Sequence, residues 1–215
     1  GRNARITNRR DITVTSDAAG GSVATADAGY ISRGRAIATI GTDARASGIV
    51  ADGGQSEVAN RGEVTVTVNA DASARSYADA ENPDTEVANS TATARARGHG
   101  IATGDGGSLV VSGGVIVVTA DAVAQAHANT EDNDQELAKA SATAEGFGIV
   151  TGSGGDFVVN AGSISIESRA SATATGKATA QTASATAVGI ATGDGNDTII
   201  NRGTITTTEV INGVT

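Results

Sequence analysis

The sequence contains no cysteine, no methionine and no tryptophan, one proline, and four aromatic residues in 215: Tyr30, Tyr77, Phe147 and Phe157. Each shortage excludes something. Without cysteine there are no disulfides, no thiolate chemistry and no thiolate metal centre. That absence suits an exported chain that crosses an oxidising space unfolded. Without large side chains an ordinary globular core is not available, so the interior must be built from Val, Ile and above all Ala. No apolar run approaches the ~18 residues of a membrane span. Basic residues are also in deficit, 15 against 24 acidic ones, for a formal charge of −9. That balance argues against nucleic acid and anionic membrane as partners. No signal peptide is visible and the first residue is Gly1, so the expectation is a processed product or a fragment.

What is present is glycine, 29 residues of it, and repetition. Four phrases align: GIVADGGQSEVANRGEV from Gly48, GIATGDGGSLVVSGGVI from Gly100, GIVTGSGGDFVVNAGSI from Gly148 and GIATGDGNDTIINRGTI from Gly189. A partial copy, ARITNRRDI, starts at Ala4. In every full copy the Ile precedes the Asn or Ser by 11 residues: Ile49 to Asn60, Ile101 to Ser112, Ile149 to Asn160, Ile190 to Asn201. From Asn8, Asn60, Ser112 and Asn160 to the Ile of the next corner (Ile49, Ile101, Ile149 and Ile190) the distance is 41, 41, 37 and 30 residues. Each repeat therefore joins a segment of fixed length to an arm of variable length.

The arms alternate. Val64, Val66, Val68, Ala70, Ala72, Ala74, Ser76, Ala78 and Ala80 share one parity, and Thr65, Thr67, Asn69, Asp71, Ser73, Arg75, Tyr77 and Asp79 the other. A period of two is a strand with one buried face, and here it outweighs the poor β-propensity of Ala. Alternation resumes after an acidic turn at 81–86, and the next arm does the same around 131–136. Units of this kind cannot bury a face alone and must stack. The expected fold is all-β: a flat, tapered β-solenoid of about four to five coils with Ala-rich arms. Ile and Val fill its wide end, and residues 1–215 form a single repeat domain with corners near 48–62, 100–114, 148–162 and 189–203. A division of each repeat into two shorter coils fits the same pattern.

The phrase Gly-Ile-x-Thr-Gly-x-Gly-x-Asp-x-Ile-x-Asn-x-Gly-x-Ile, followed by Ala-x-Ala-x tracts, resembles the repeats of bacterial autotransporter passengers and related large surface adhesins. The resemblance implies a β-solenoid displayed on, or released from, the outer membrane. The expected location is therefore extracellular or the bacterial outer-membrane surface. The expected role is a non-enzymatic structural or adhesive segment, and the alternative is a fibre subunit stacking head-to-tail. Expected partners are a second copy, end to end, or a ligand on a host or neighbouring cell. Neither nucleic acid nor membrane insertion by this segment is expected. The chain starts and stops within a repeat, which suits a piece of a longer array.

Candidate sites are few. Gly193-Asp194-Gly195-Asn196-Asp197 is similar to the core of calcium-binding RTX nonapeptides, which makes Asp194 and Asp197 the candidate calcium ligands. RTX copies follow one another every nine residues, whereas these recur once per repeat and their acids drift: Asp52, Asp105, Asp156, then Asp194 with Asp197. The fixed spacing favours a backbone corner with no required cofactor over a metal ladder. Gly48, Gly100, Gly148 and Gly189 mark that corner, and Asn8, Asn60, Asn160 and Asn201 are expected to stack there as an amide ladder, interrupted by Ser112. The motif lacks the Lys-Ser/Thr and the helix of a phosphate loop. His99 and His127 read as surface histidines and the acidic turns as solvated loops. Outward Thr65 and Thr67 meet Val117–Thr119 and Ser165–Glu167 in later copies, which breaks the regular rows an ice-binding face needs. The shortage of outward aromatics and of paired carboxylates in a cleft argues against a polysaccharide-active β-helix enzyme.

Overall fold

The computed structural model describes residues 3–28, 35–52, 54–80, 86–130 and 135–213. Most of the acidic turns, 81–85 and 131–134, lies outside the described residues. Among the described residues there are fourteen elements, all of them strands. They are β1 (Ala4–Asn8), β2 (Ile12–Ala28), β3 (Arg35–Ala51), β4 (Ser56–Asn60), β5 (Glu63–Ala80), β6 (Val87–Thr103) and β7 (Ser108–Ser112). Then come β8 (Val115–Thr130), β9 (Gln135–Val150), β10 (Phe157–Asn160), β11 (Ser163–Thr175), β12 (Ala178–Ala191), β13 (Thr198–Asn201) and β14 (Thr204–Asn212).

These strands form three parallel sheets, each taking one strand from successive repeats: β1-β4-β7-β10-β13, β2-β5-β8-β11-β14 and β3-β6-β9-β12. The arrangement is consistent with the expected β-solenoid. Register fixes the repeat unit. Asn8 pairs with Asn60, Asn60 with Ser112, Ser112 with Asn160 and Asn160 with Asn201. Each strand thus lies against its counterpart one whole repeat away, and the reading with two shorter coils per repeat falls. Parallel strands pair only through a crossover connection, and here the rest of the repeat supplies it.

Alternation decides what faces in. Val64, Val66, Val68, Ile116, Val118, Ile164 and Ile166 are buried near the corner, while Ala70 to Ala78 and Ala120 to Ala128 line the arm beyond them. Ala72, Ala94, Ala122, Ala142, Ala172 and Ala185 are all buried. A buried Val or Ile contributes ~1.5–3 kcal/mol, whereas an Ala methyl contributes under ~1. The apolar driving force is therefore concentrated at the corner end, and the arms depend on their backbone ladders. The two long sheets lie close together. Ser76 and Ser90 hydroxyls meet at 2.9 Å across the interior. Ser90 Oγ donates to the carbonyl of His127 at 2.6 Å, and Ser168 Oγ to that of Thr186 at 2.7 Å. A two-atom side chain thus spans from one sheet to the backbone of the other.

That thinness leaves no room for rings, and Tyr77, Phe147 and Phe157 stand on outward positions, with Tyr77 and Phe157 exposed. The supply of outward aromatics is therefore larger than the sequence reading allowed. His99 also departs from expectation. It is half-buried and stacked on Phe147, ring centroids 5.2 Å apart, because residues one repeat apart in a parallel sheet stand side by side.

Candidate functional site: the stacked corner

The corner begins where the third sheet turns into the short one. Pairing skips one residue in each repeat. Ser47 pairs with His99 and Ile49 with Ile101, leaving Gly48 and Gly100 unpaired, and the same gap recurs at Gly148 and Gly189. The alternation slips there, so that Gly48 and Ile49 both face in. A Cβ on Gly100 would collide with Ile116 and, at 2.7 Å, with the carbonyl oxygen of Gly148; Gly48 and Gly148 are crowded in the same way, and Gly189 meets the side chain of Ile205. These four glycines are needed for close approach and not for an unusual dihedral. A second column, Gly54, Gly106, Gly154 and Gly195, carries the positive φ values of 75°, 111°, 133° and 144°. It lies in the Gly-Asp-Gly turn itself, where an L side chain would be strained.

On the far side of the corner stand the amides. Asn8 Nδ2 donates to Asn60 Oδ1 at 2.9 Å, and Asn160 Nδ2 to Asn201 Oδ1 at 2.9 Å. Between them the column weakens. Asn60 Nδ2 reaches Ser112 Oγ at 3.4 Å, and the buried Asn160 Oδ1 has no partner. Asn60, Ser112 and Asn160 are fully buried, while Asn201 is exposed at the end of the stack.

The acids occupy two separate columns. Asp194 is exposed and stands beside Ser153, whose neighbour on the other side is Asp105. Asp105 Oδ1 accepts from Ser153 N at 3.0 Å and from Ser153 Oγ at 2.9 Å, and the backbone donor in particular holds its carboxyl below the usual carboxylate range. Asp197 belongs to the inward column Ser56, Ser108, Asp156, Asp197, and is half-buried. Its Oδ1 accepts from Asp156 N at 2.9 Å. Asp156 is 2% exposed, and its Oδ1 accepts from Ser108 N at 2.8 Å. The structure thus places Asp197 with Asp156 and leaves Asp194 in the outer turn. No group of three or more His, Cys, Asp or Glu that could hold a metal occurs among the described residues.

Two further acids were misread as solvated. Glu86 is fully buried and Glu136 is 8% exposed. Glu136 Oε1 accepts from Thr130 N at 3.1 Å and from Thr130 Oγ1 at 3.3 Å, and its Oε2 accepts from Lys177 N at 2.8 Å. It closes the arm end where the next repeat is shorter, supplying an acceptor for backbone donors left there. Sequence reasoning had a usable signal, since Glu86 shares parity with Ala88 and Glu136 with Ala138, both inward. The outward threonine columns run Thr13, Thr65, Val117, Ser165, Thr206 and Thr15, Thr67, Thr119, Glu167, Thr208. They are longer than expected but interrupted, and Glu167 forms an ion pair with Arg169 there.

On the return sheet Asp43, Arg45, Arg95, Arg97 and Glu145 form an outward charged cluster. Arg45 binds both oxygens of Asp43, and Arg97 binds Glu145. The hydrogen bond from Arg45 is the chief cause that holds Asp43 below the ordinary carboxylate range. His127 is exposed. His99 is lowered from 6.5, first by burial and then by Arg97, with Glu145 opposing.

No protein-family model, no curated protein and no solved structure matches this chain.

Proposed function

We propose that this chain is a non-enzymatic structural or adhesive segment of an exported bacterial surface protein, a stalk in the style of autotransporter passengers. The finer architecture we infer is a flat, tapered solenoid of about four to five coils, wide at the Ile/Val corner and narrow along Ala-rich arms. The observation that carries the reading is the uninterrupted register. Inward positions stack on their counterparts one repeat away through all three sheets, which makes a stiff rod whose outward residues are free to vary. The adjacent carboxylates Asp156 and Asp197 are engaged by backbone amides inside the corner, which supports a structural role over a hydrolytic one. The absence of cysteine and the charge of −9 suit export and solubility. The test is adhesion of chain-coated beads to bacterial and host cells, together with assays on a polysaccharide panel. Specific, saturable retention supports the reading, and turnover of any polysaccharide would sink it.

A fibre that stacks head-to-tail is the second reading. It is favoured by the open edges of β2 and β14, which end the long sheet. Against it stands Glu209. This residue follows the inward column of Ser16, Val68, Ala120 and Ser168, and its Oε1 accepts from the edge amide of Ala187 at 2.8 Å. A charge in the core register opposes further stacking at that end. Concentration-dependent filaments in electron micrographs would favour the fibre.

A further inference from the structure

We propose a cation site inside the corner, between the Thr103 and Thr151 layers and the Asp156–Asp197 pair, selective for a hard ion of the calcium class. Of the two acids the glycine turn suggested, it keeps Asp197 and drops Asp194. The column Ser56, Ser108, Asp156, Asp197 faces the column Ala51, Thr103, Thr151, Thr192 across the corner, as the contact of Ser56 Oγ with the carbonyl of Ala51 at 3.5 Å establishes. In the second and third of the four full repeats this interior holds three buried oxygens without a hydrogen-bond partner: Asp156 Oδ2, Thr151 Oγ1 and Thr103 Oγ1. Asp156 is 2% exposed, Thr151 3% and Thr103 7%. Unpaired buried polar atoms are uncommon, and three of them on inward positions of one corner, in consecutive layers, point to a ligand.

Charge selects its class. Asp156 and Asp197 are strand neighbours, and neither makes an ion pair with a basic residue among the described residues. A buried carboxylate is costly without a countercharge. The donor set is oxygen only, two carboxylates and two hydroxyls, which suits calcium and not a transition metal. Water supplies the remaining ligands. The first two repeats carry Ser56 and Ala51, and Ser108 with Thr103, so the full set exists only where Asp156 enters the stack.

The experiment is titration calorimetry on the chelator-stripped chain with calcium, paired with thermal melting in calcium and in chelator. The expected dissociation constant is on the order of 10⁻⁴–10⁻³ M, the range of extracellular calcium modules. The expected stoichiometry is one ion per chain, with a melting temperature several degrees higher in calcium. Asp156→Asn, which keeps shape and removes charge, should fold in chelator yet lose both binding and the shift, and Thr151→Val should weaken binding. Asp194→Asn should keep them. Unchanged melting of the native chain up to about 10 mM calcium, ten times the weak end of that range, would mean a buried water or proton only and would overturn the proposal. So would loss of binding in Asp194→Asn with retention in Asp156→Asn.

Discussion

Replacing Ser112 with Asn should complete the amide ladder and stabilise the chain. In the native column each amide donates toward the C-terminal repeat, Asn8 to Asn60 and Asn160 to Asn201, both at 2.9 Å. Ser112 is too short to continue the line, so Asn60 makes only a 3.4 Å contact and Asn160 Oδ1 is buried without a partner. An Asn at 112 would accept from Asn60 and donate to Asn160. Relief of an unsatisfied buried acceptor is worth ~1–3 kcal/mol and a made hydrogen bond ~0.5–1.5, of which ordering the longer side chain returns about 1. The net expectation is about 1–3 kcal/mol. For a chain of this size each kcal/mol moves the melting temperature by ~2–4 °C, so the shift is about 2–12 °C. Room exists, because Asn60 and Asn160 occupy the same register fully buried. Ser112→Ala serves as the control. It leaves Asn60 Nδ2 unpartnered and should lower the melting temperature. The assay is calorimetric or circular-dichroism melting of the three chains. If Ser112→Asn melted at or below the native chain, the column would not be a cooperative ladder and the reasoning would fail.

Three other outcomes are expected. Ala122→Leu adds bulk where the two long sheets nearly touch and should cost ~1–3 kcal/mol. Outward Asp121→Leu loses only a 3.4 Å exposed contact with Arg169 and should cost under ~1, so equal effects in urea titrations would mean the faces are wrongly assigned. Gly100→Ala should destabilise strongly, since its methyl meets Ile116 and the Gly148 carbonyl. Gly41→Ala, with nothing within 4 Å, should be neutral or stabilising by ~0.4–1 kcal/mol, and melting curves separate the two. His99 has a folded-state pKa below 6.5. The unfolded chain therefore takes up the proton first as pH falls, and the stability present above 6.5 is lost on acidification through the folded value. Histidine-resolved NMR should place its midpoint under 6.5, and His99→Gln should flatten the melting profile below that pH. A midpoint above 6.5 would contradict the burial argument.

The sequence by itself determined the class of fold, the repeat and the buried face. A period of two fixes which side of a strand meets the core whatever its partner, so the inward alanines from Ala72 to Ala185 were legible. The constant spacing of 11 located the corners because a turn constrains chain length more tightly than side chains. Parity also implied that Glu86 and Glu136 point inward, although their charge suggested the opposite. The aligned phrases also placed Asn8 beside Asn60, but only the tertiary structure decided the other neighbours. A pairing such as Asp156 with Asp197 joins residues 41 positions apart, and nothing local to either residue encodes that distance. The same register placed His99 against Phe147, put Asp197 in a different column from Asp194, and left Asp156 facing Thr151 across the corner. Periodicity acts within a strand and registers with its own backbone. Adjacency in a parallel stack arises from summing every residue of the intervening repeat, arm length included, and is settled only when the chain has gone round and closed on itself.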